Sequence, residues 1–243
     1  MHTVQKTSSV DLPPHLRPSV WTGAALCRTQ NLTVASGHPQ LDPHLPGGGW
    51  PVQSLTEILL SQAGQGEWRL LLPALRQLTR QGGSIILIGP PQVPYLPGLY
   101  REGIAPDKLI WVDAQTQAQR LWATEQALQA ACLTAILSWL PHARPDHMRR
   151  LQTHAARHPG LLFALRPLSA RHESSAAPLR LGLSLAPPQQ ALHVELFKRK
   201  GPLLEHPLTL AIWHQGLAHL IAPSHHAALD GLDSRRTTEL TVH

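Results

Sequence analysis

An α/β fold is what this sequence predicts: a mostly parallel sheet flanked by helices, with antiparallel strands added near the C-terminus and flexible termini. Three observations lead there. First, the runs "SIILIG" (84–89), "LIWVDA" (109–114), "LTAILSWL" (133–140) and "LLFALRPL" (161–168) are continuous, apolar and of strand length. Such runs suit strands covered on both faces, as in a parallel sheet. Second, helical segments separate them, and alternating strands and helices wind into a parallel sheet through right-handed crossovers. Third, the alternation stops after about residue 178. "LRLGLSL" (179–185), "ALHVELFKRK" (191–200) and "LTLAIW" (208–213) are separated only by turn material, which predicts an antiparallel addition at the sheet edge.

In chain order, residues 1–20 are polar, proline-rich and loose. "ASGHPQLDPHLPGGGWP" (35–51) is a loop with a short helical turn near Leu41. Its three glycines require backbone freedom, either for positive φ or for close approach of another segment. "SLTEILL" is the first core strand. The stripe Trp68, Leu71, Leu72, Leu75 and Leu78 predicts a helix over 67–80, which Pro73 should bend or shorten and Gly82-Gly83 should stop. A short helix is expected near Pro97–Glu102, a long one over 116–131, and another from an Asp146 cap to about Arg157, ended by Pro159-Gly160. The chain divides into an N-terminal extension (1–34), a core domain (35–215) and a C-terminal tail (216–243) too polar to offset its ordering entropy.

Composition narrows the function classes. The 243 residues are 42% hydrophobic, enough for one domain with tails. Cys27 and Cys132 stand far apart and predict reduced thiols of a cytoplasmic protein, not a disulfide or zinc site. The N-terminal stretch has no apolar signal core, and no run is long enough to span a membrane. The formal charge of +6 makes nucleic acid or an acidic protein surface a plausible partner, although 17 Arg against 4 Lys also fits a GC-rich coding sequence. The sixteen histidines are scattered, without ligand spacing.

"EILLSQAGQGEWRLLLPALRQL" (57–78) has the outline of a phosphate-binding loop: strand, glycine-bearing turn (Gly64, Gly66), helix. Such a loop also needs G-K-[ST], with the lysine on phosphate oxygens and the hydroxyl on magnesium. The matching positions are Gly66, Glu67 and Trp68. A carboxylate there repels phosphate, and an indole occupies nucleotide space.

Several short stretches then become specific. "SGHPQLDPHLPGGGWPVQSLTEIL" resembles the entry into a RecA core, "PYLPGLYREGIAPDKLIWVD" the RecA segment after the second strand, and "DHMRRLQTHAARH" the helix after its first DNA-binding loop. "LPGGGWP", "LTEILL", "GEWRLLLPAL", "LWATEQAL" and "VELFKRKG", in that order over about 20–215, resemble ImuA, the RecA-like accessory family of bacterial translesion synthesis. The SulA family of SOS cell-division inhibitors resembles only the central part, roughly 54–185.

The resemblance implies a RecA-like core without nucleotide chemistry. Besides the altered loop, "LTAILSWL" ends in Ser138-Trp139 with no carboxylate for magnesium, and Gly89-Pro90-Pro91 lacks the general base expected after the second strand. It therefore implies a non-enzymatic, cofactor-free adaptor. Its implied partners are ImuB and the error-prone C-family DNA polymerase, with RecA as a further partner. The alternative is a SulA-type inhibitor that binds FtsZ. The two RecA DNA-binding loops would fall at 141–147 and 168–180, the second flexible and carrying Arg171 and Arg180. Weak, non-specific DNA contact is assigned to Arg149, Arg150, Arg157, Arg171, Arg180, Lys198, Arg199 and Lys200, against the alternative of a solvated basic face. In helix 116–131, Ala118, Leu121, Trp122, Leu128 and Gln129 share a stripe with Glu125 at its centre. Glu125 is thus either paired with an internal Arg or turned to a partner, with Trp122 beside it. Leu240 and Val242 in the tail are candidate partner anchors.

Overall fold

The computed structural model describes residues 32–64, 66–186, 191–202, 204 and 206–211. The C-terminal tail, with Leu240 and Val242, lies outside the described residues, as does Cys27. The strands are β1 (Thr33–Val34), β2 (Trp50–Pro51), β3 (Leu55–Leu60), β4 (Ser84–Ile88), β5 (Leu109–Val112), β6 (Leu133–Trp139), β7 (Leu161–Pro167), β8 (Leu179–Ala186), β9 (Ala191–Lys198) and β10 (Leu208–Ala211). The helices are α1 (Glu67–Arg80), α2 (Leu96–Arg101), α3 (Gln117–Gln129) and α4 (Pro145–Ala155).

Among the described residues, eight strands form one sheet in the order β10-β9-β8-β3-β7-β6-β4-β5. From β8 to β5 every pairing is parallel; β9 and β10 are antiparallel. The expected architecture holds, with two corrections. "LRLGLSL" is the last parallel strand, paired with β3 as well as with β9, rather than part of a purely antiparallel addition. "LIWVDA", expected to be covered on both faces, is the sheet edge, where Ile110 and Trp111 are exposed.

Alternate residues of each strand feed two cores. On one face Ile58, Leu60, Leu87 and Phe163 pack with Leu71 and Leu75 of α1. On the other, Leu55, Ile88, Ile136 and Leu162 pack with Leu121 and Leu128 of α3 and Met148 and Leu151 of α4. α1 has the predicted bounds, and Pro73 does not shorten it. The Pro73 ring instead covers Gly37, where an added Cβ would lie 2.3 Å from the proline Cβ.

The segment 33–52 closes the first core. Asp42 Oδ1 accepts the Ser36 N–H at 2.8 Å, which ties the turn and seats Leu41 in the interior. Both reasons for the glycine run apply. Gly47 and Gly48 have φ of 75° and 84°, and a Cβ on Gly49 would strike the Val34 carbonyl oxygen at 2.5 Å. Trp50 then meets Phe163 edge-on, with centroids 5.3 Å apart, a geometry that contributes about 0.5–1.5 kcal/mol beyond area burial.

α3 begins with a capping box: Thr116 Oγ1 accepts the Gln119 N–H, and Gln119 Oε1 accepts the Thr116 N–H. For α4 the expected Asp146 cap is corrected. Arg144 is the N-cap and Pro145 the first helical residue, because the proline ring presets helical φ where no donor is needed. Among the described residues no helix is long and apolar enough to cross a membrane.

Candidate functional site

The strand–turn–helix outline predicted at 57–78 is real, and its interior is filled. β3 leads into a turn in which Gly64 (φ 87°) and Gly66 (φ 95°) take left-handed conformations, and Gly66 is the N-cap of α1. Helix N-termini and such turns present N–H groups and positive potential to anions. Here the chain supplies its own anion. Glu67 is 1% exposed, and its Oε1 accepts the Gly64 N–H at 2.6 Å. The carboxylate therefore occupies the anion position as well as repelling phosphate. Its Oε2 is buried without a hydrogen-bond partner among the described residues.

The neighbouring positions are similarly built for packing. Trp68 leans on Trp139 at the end of β6, with centroids 6.4 Å apart and planes at 42°. Ser138, where magnesium would need a carboxylate, is buried against Thr124 Oγ1 at 2.6 Å. Gly89 turns with φ 58°, and a Cβ there would meet Arg120 Nε at 2.6 Å. Arg120 is held by the carbonyls of Ala114 and Trp139 at 2.9 and 3.1 Å. A cleft of about 310 Å³ remains, lined among others by Glu67, Trp68, Pro94, Tyr95, Leu99 and Trp139. A second, of about 260 Å³, shares Pro91 and Trp139 with it and reaches Arg120 and Arg166. Both lie beyond the carboxyl ends of parallel strands, where open α/β sheets bind ligands.

An ion network crosses the sheet nearby. Glu57, fully buried in β3, receives Arg166 Nη1 of β7 at 2.7 Å and Arg180 Nε of β8 at 2.6 Å. Arg166 also binds Glu173 Oε2 at 2.7 Å and the Ala143 carbonyl, and Arg180 binds the Ala170 carbonyl at 2.9 Å. This corrects two expectations. Arg180 is buried and structural, so it does not face nucleic acid, and the segment expected to be flexible opens with a 3-10 turn (Leu168–His172) whose Ala170 carbonyl is held by Arg180. Sequence reasoning passed over Glu57; a carboxylate inside an apolar strand must be paired, and Arg166 was the matching signal.

Other predicted contacts are also engaged within the fold. Arg171 forms a two-pronged pair with Glu195 and lies 4.3 Å over the Phe197 ring. Arg150 Nε reaches Glu125 Oε1 at 2.6 Å, so the internal pairing given as one alternative for Glu125 is present, between two helices at the surface. Lys198 binds the Ser175 carbonyl at 2.9 Å, and Arg199 binds the carbonyls of Pro202 and His44. Lys200 is exposed at the end of β9 and engaged in an interaction of its own. Arg149 is exposed on α4, opposite Met148, Leu151 and Ala155, and Arg157 is exposed in the turn that follows the helix. Trp122 is 65% exposed, while the buried stripe of α3 is Leu121, Thr124, Ala127 and Leu128. Trp122 thus faces outward, apart from the predicted apolar stripe.

One feature was missed. Of the eight large apolar side chains exposed among the described residues, Val93, Tyr95, Leu96, Tyr100, Ile110 and Trp111 fall in one stretch of chain ending at the edge strand β5. Ile110 and Trp111 are consecutive in β5 and lie on opposite faces of the edge strand.

No protein-family model matches the chain. Among curated proteins, the cell division inhibitor SulA of Photorhabdus laumondii is 30% identical over 115 residues, 47% of this chain and 65% of that protein. Protein ImuA of Caulobacter vibrioides is 28% identical over 130 residues, 51% of this chain and 53% of that protein. The SulA of Pectobacterium atrosepticum is 31% identical over 130 residues, 53% of this chain and 75% of that protein. The chain thus spans less than two thirds of the first two relatives, and about half of the ImuA protein.

Proposed function

The chain belongs to the SulA/ImuA-like family, and from that premise we propose that it is a non-enzymatic accessory protein of the SOS response to DNA damage. In this reading it is an adaptor in translesion synthesis that joins ImuB to the error-prone C-family polymerase, with RecA as a further partner. The observation that carries the reading is the self-filled loop. Phosphoryl transfer depends on positioning and charge neutralisation, and Glu67 on the Gly64 N–H removes the phosphate seat. A RecA-like scaffold kept without its nucleotide site serves through its surfaces. The exposed apolar stretch from Val93 to Trp111 suits a protein partner, and Arg149 and Arg157 suit weak backbone contact to DNA.

A SulA-type inhibitor that captures FtsZ is the second reading, favoured by the identity to SulA proteins. The flanks support the ImuA-type reading over it. Trp50 of "LPGGGWP" is fully buried against Phe163, and "VELFK" lies in β9, hydrogen-bonded to β8. Both segments outside the SulA-like part are therefore integral to this fold. The test is affinity capture of the tagged chain from DNA-damaged host cells, read by mass spectrometry. Recovery of ImuB and the polymerase without FtsZ supports the adaptor; recovery of FtsZ alone overturns it.

A further inference from the structure

We propose that the cleft beside Glu67 receives an arginine side chain from a partner protein. Its volume, about 310 Å³, is at the lower end of the ~300–1,000 Å³ of ligand pockets, enough for one long side chain. Its polarity is inverted relative to a phosphate site. The Gly64 N–H is already taken by Glu67 Oε1, while Oε2 of the same carboxylate is buried and unpartnered. None of the described residues lining the cleft is basic. A buried carboxylate oxygen with neither a hydrogen-bond partner nor an ion pair among the described residues is complementary to a charged donor. Leaving it unpaired costs free energy that such a donor would recover.

The walls select among cations. Trp68, Tyr95 and Trp139 line the cleft, with Pro91 and Pro94. Flat apolar and aromatic surfaces stack a planar, weakly hydrated guanidinium better than a compact, strongly hydrated ammonium. A lone carboxylate is a poor divalent-cation site, because such ions need several oxygens. The cleft is also open to a neighbour: Tyr95, at its rim, is 74% exposed and is one of the exposed apolar side chains between Val93 and Trp111. An arginine entering beside Tyr95 would bring its flanking residues onto that stretch.

The test uses the full chain labelled at tryptophan indole nitrogens, with N-acetyl-arginine methylamide as probe and the uncharged N-acetyl-citrulline methylamide as control. The indole N–H signals are assigned by single Trp→Phe substitutions. The Trp68 and Trp139 signals should shift saturably with the arginine probe, with a dissociation constant on the order of millimolar. They should not shift with citrulline, and the distant, exposed Trp122 should stay still. Glu67→Gln keeps an acceptor for the Gly64 N–H and should weaken binding about tenfold or more. Tyr95→Ala, at a residue too exposed to unfold the protein, should weaken it several-fold. Absent saturation, equal response to citrulline, or unchanged affinity in Glu67→Gln overturns the proposal. The adaptor reading supplies only the source of the arginine. Capture of the named partners with a silent titration rejects the cleft alone, and a positive titration with FtsZ as the captured partner rejects the adaptor alone.

Discussion

Glu57→Gln should be the most destabilising isosteric change in the sheet. The amide keeps the shape of the carboxylate and removes its charge, leaving two buried guanidinium groups. Arg166 keeps Glu173 and the Ala143 carbonyl, but Arg180 loses the one carboxylate it touches among the described residues. Breaking one partner out of a buried ion pair costs about 3–5 kcal/mol, a large part of the ~5–15 kcal/mol that holds a domain. At about 2–4 °C per kcal/mol for a chain of this size, Tm should fall by roughly 6–20 °C. Circular dichroism during heating and urea titration reads both quantities. A loss under ~1 kcal/mol would refute the reasoning, because it would mean that the arginines reach water and the network is not buried. The triple change Glu57→Leu, Arg166→Met, Arg180→Met should restore stability to near or above the parent, since a well-packed apolar replacement avoids the desolvation cost of all three charges.

Mg-ATP at millimolar concentration should give no saturable heat by calorimetry, and Glu67→Lys alone should not restore hydrolysis, because the strand-end carboxylate and the general base are also missing; a micromolar dissociation constant would contradict this. DNA binding should be non-specific, at ~10⁻⁴–10⁻⁶ M in physiological salt, and Arg149→Ala with Arg157→Ala should lower the salt slope by about 1.8, at ~0.9 per phosphate. Arg180→Ala should instead act on stability, and an equal loss of DNA affinity without loss of Tm would place it back on the surface. His158 is buried, and burial, opposed in part by the backbone of Leu128 and Leu133, holds its pKa below the usual 6.5. The unfolded chain therefore takes up its proton more readily, so stability should fall as pH drops below about 6.5, by at most ~1.4 kcal/mol per pH unit. His158→Phe should flatten that part of the pH profile, and an unchanged profile would assign it to other groups.

Local signals in the sequence located most elements to within two or three residues. α1 was legible because Gly66 and the pair Gly82-Gly83 punctuate an apolar stripe of helical period, and β4, β6 and β7 because their runs are continuous. What could not be read was long-range order. Nothing in "LIWV" says that only one neighbour pairs with it, so Trp111 looked buried. Nothing in "LRLGLSL" says that β3 lies beside it. The same holds for the charges. Glu57 and Arg180 are 123 residues apart in sequence, and only the β3–β8 register, which sets Glu57 opposite Arg180, joins them. The altered loop was visible as Glu67 and Trp68, but periodicity and motif matching could only subtract a function there. Burial of the carboxylate on the Gly64 N–H adds the physical reason.

The adaptor function is tested most directly by damage-induced mutation frequency in host cells lacking the chain, measured alongside cell length when the chain is overproduced. Loss of ultraviolet-induced mutagenesis on deletion, with normal cell length on overproduction, is the predicted result. Unchanged mutagenesis on deletion, with filamentous cells on overproduction, would contradict it and assign the chain to division control.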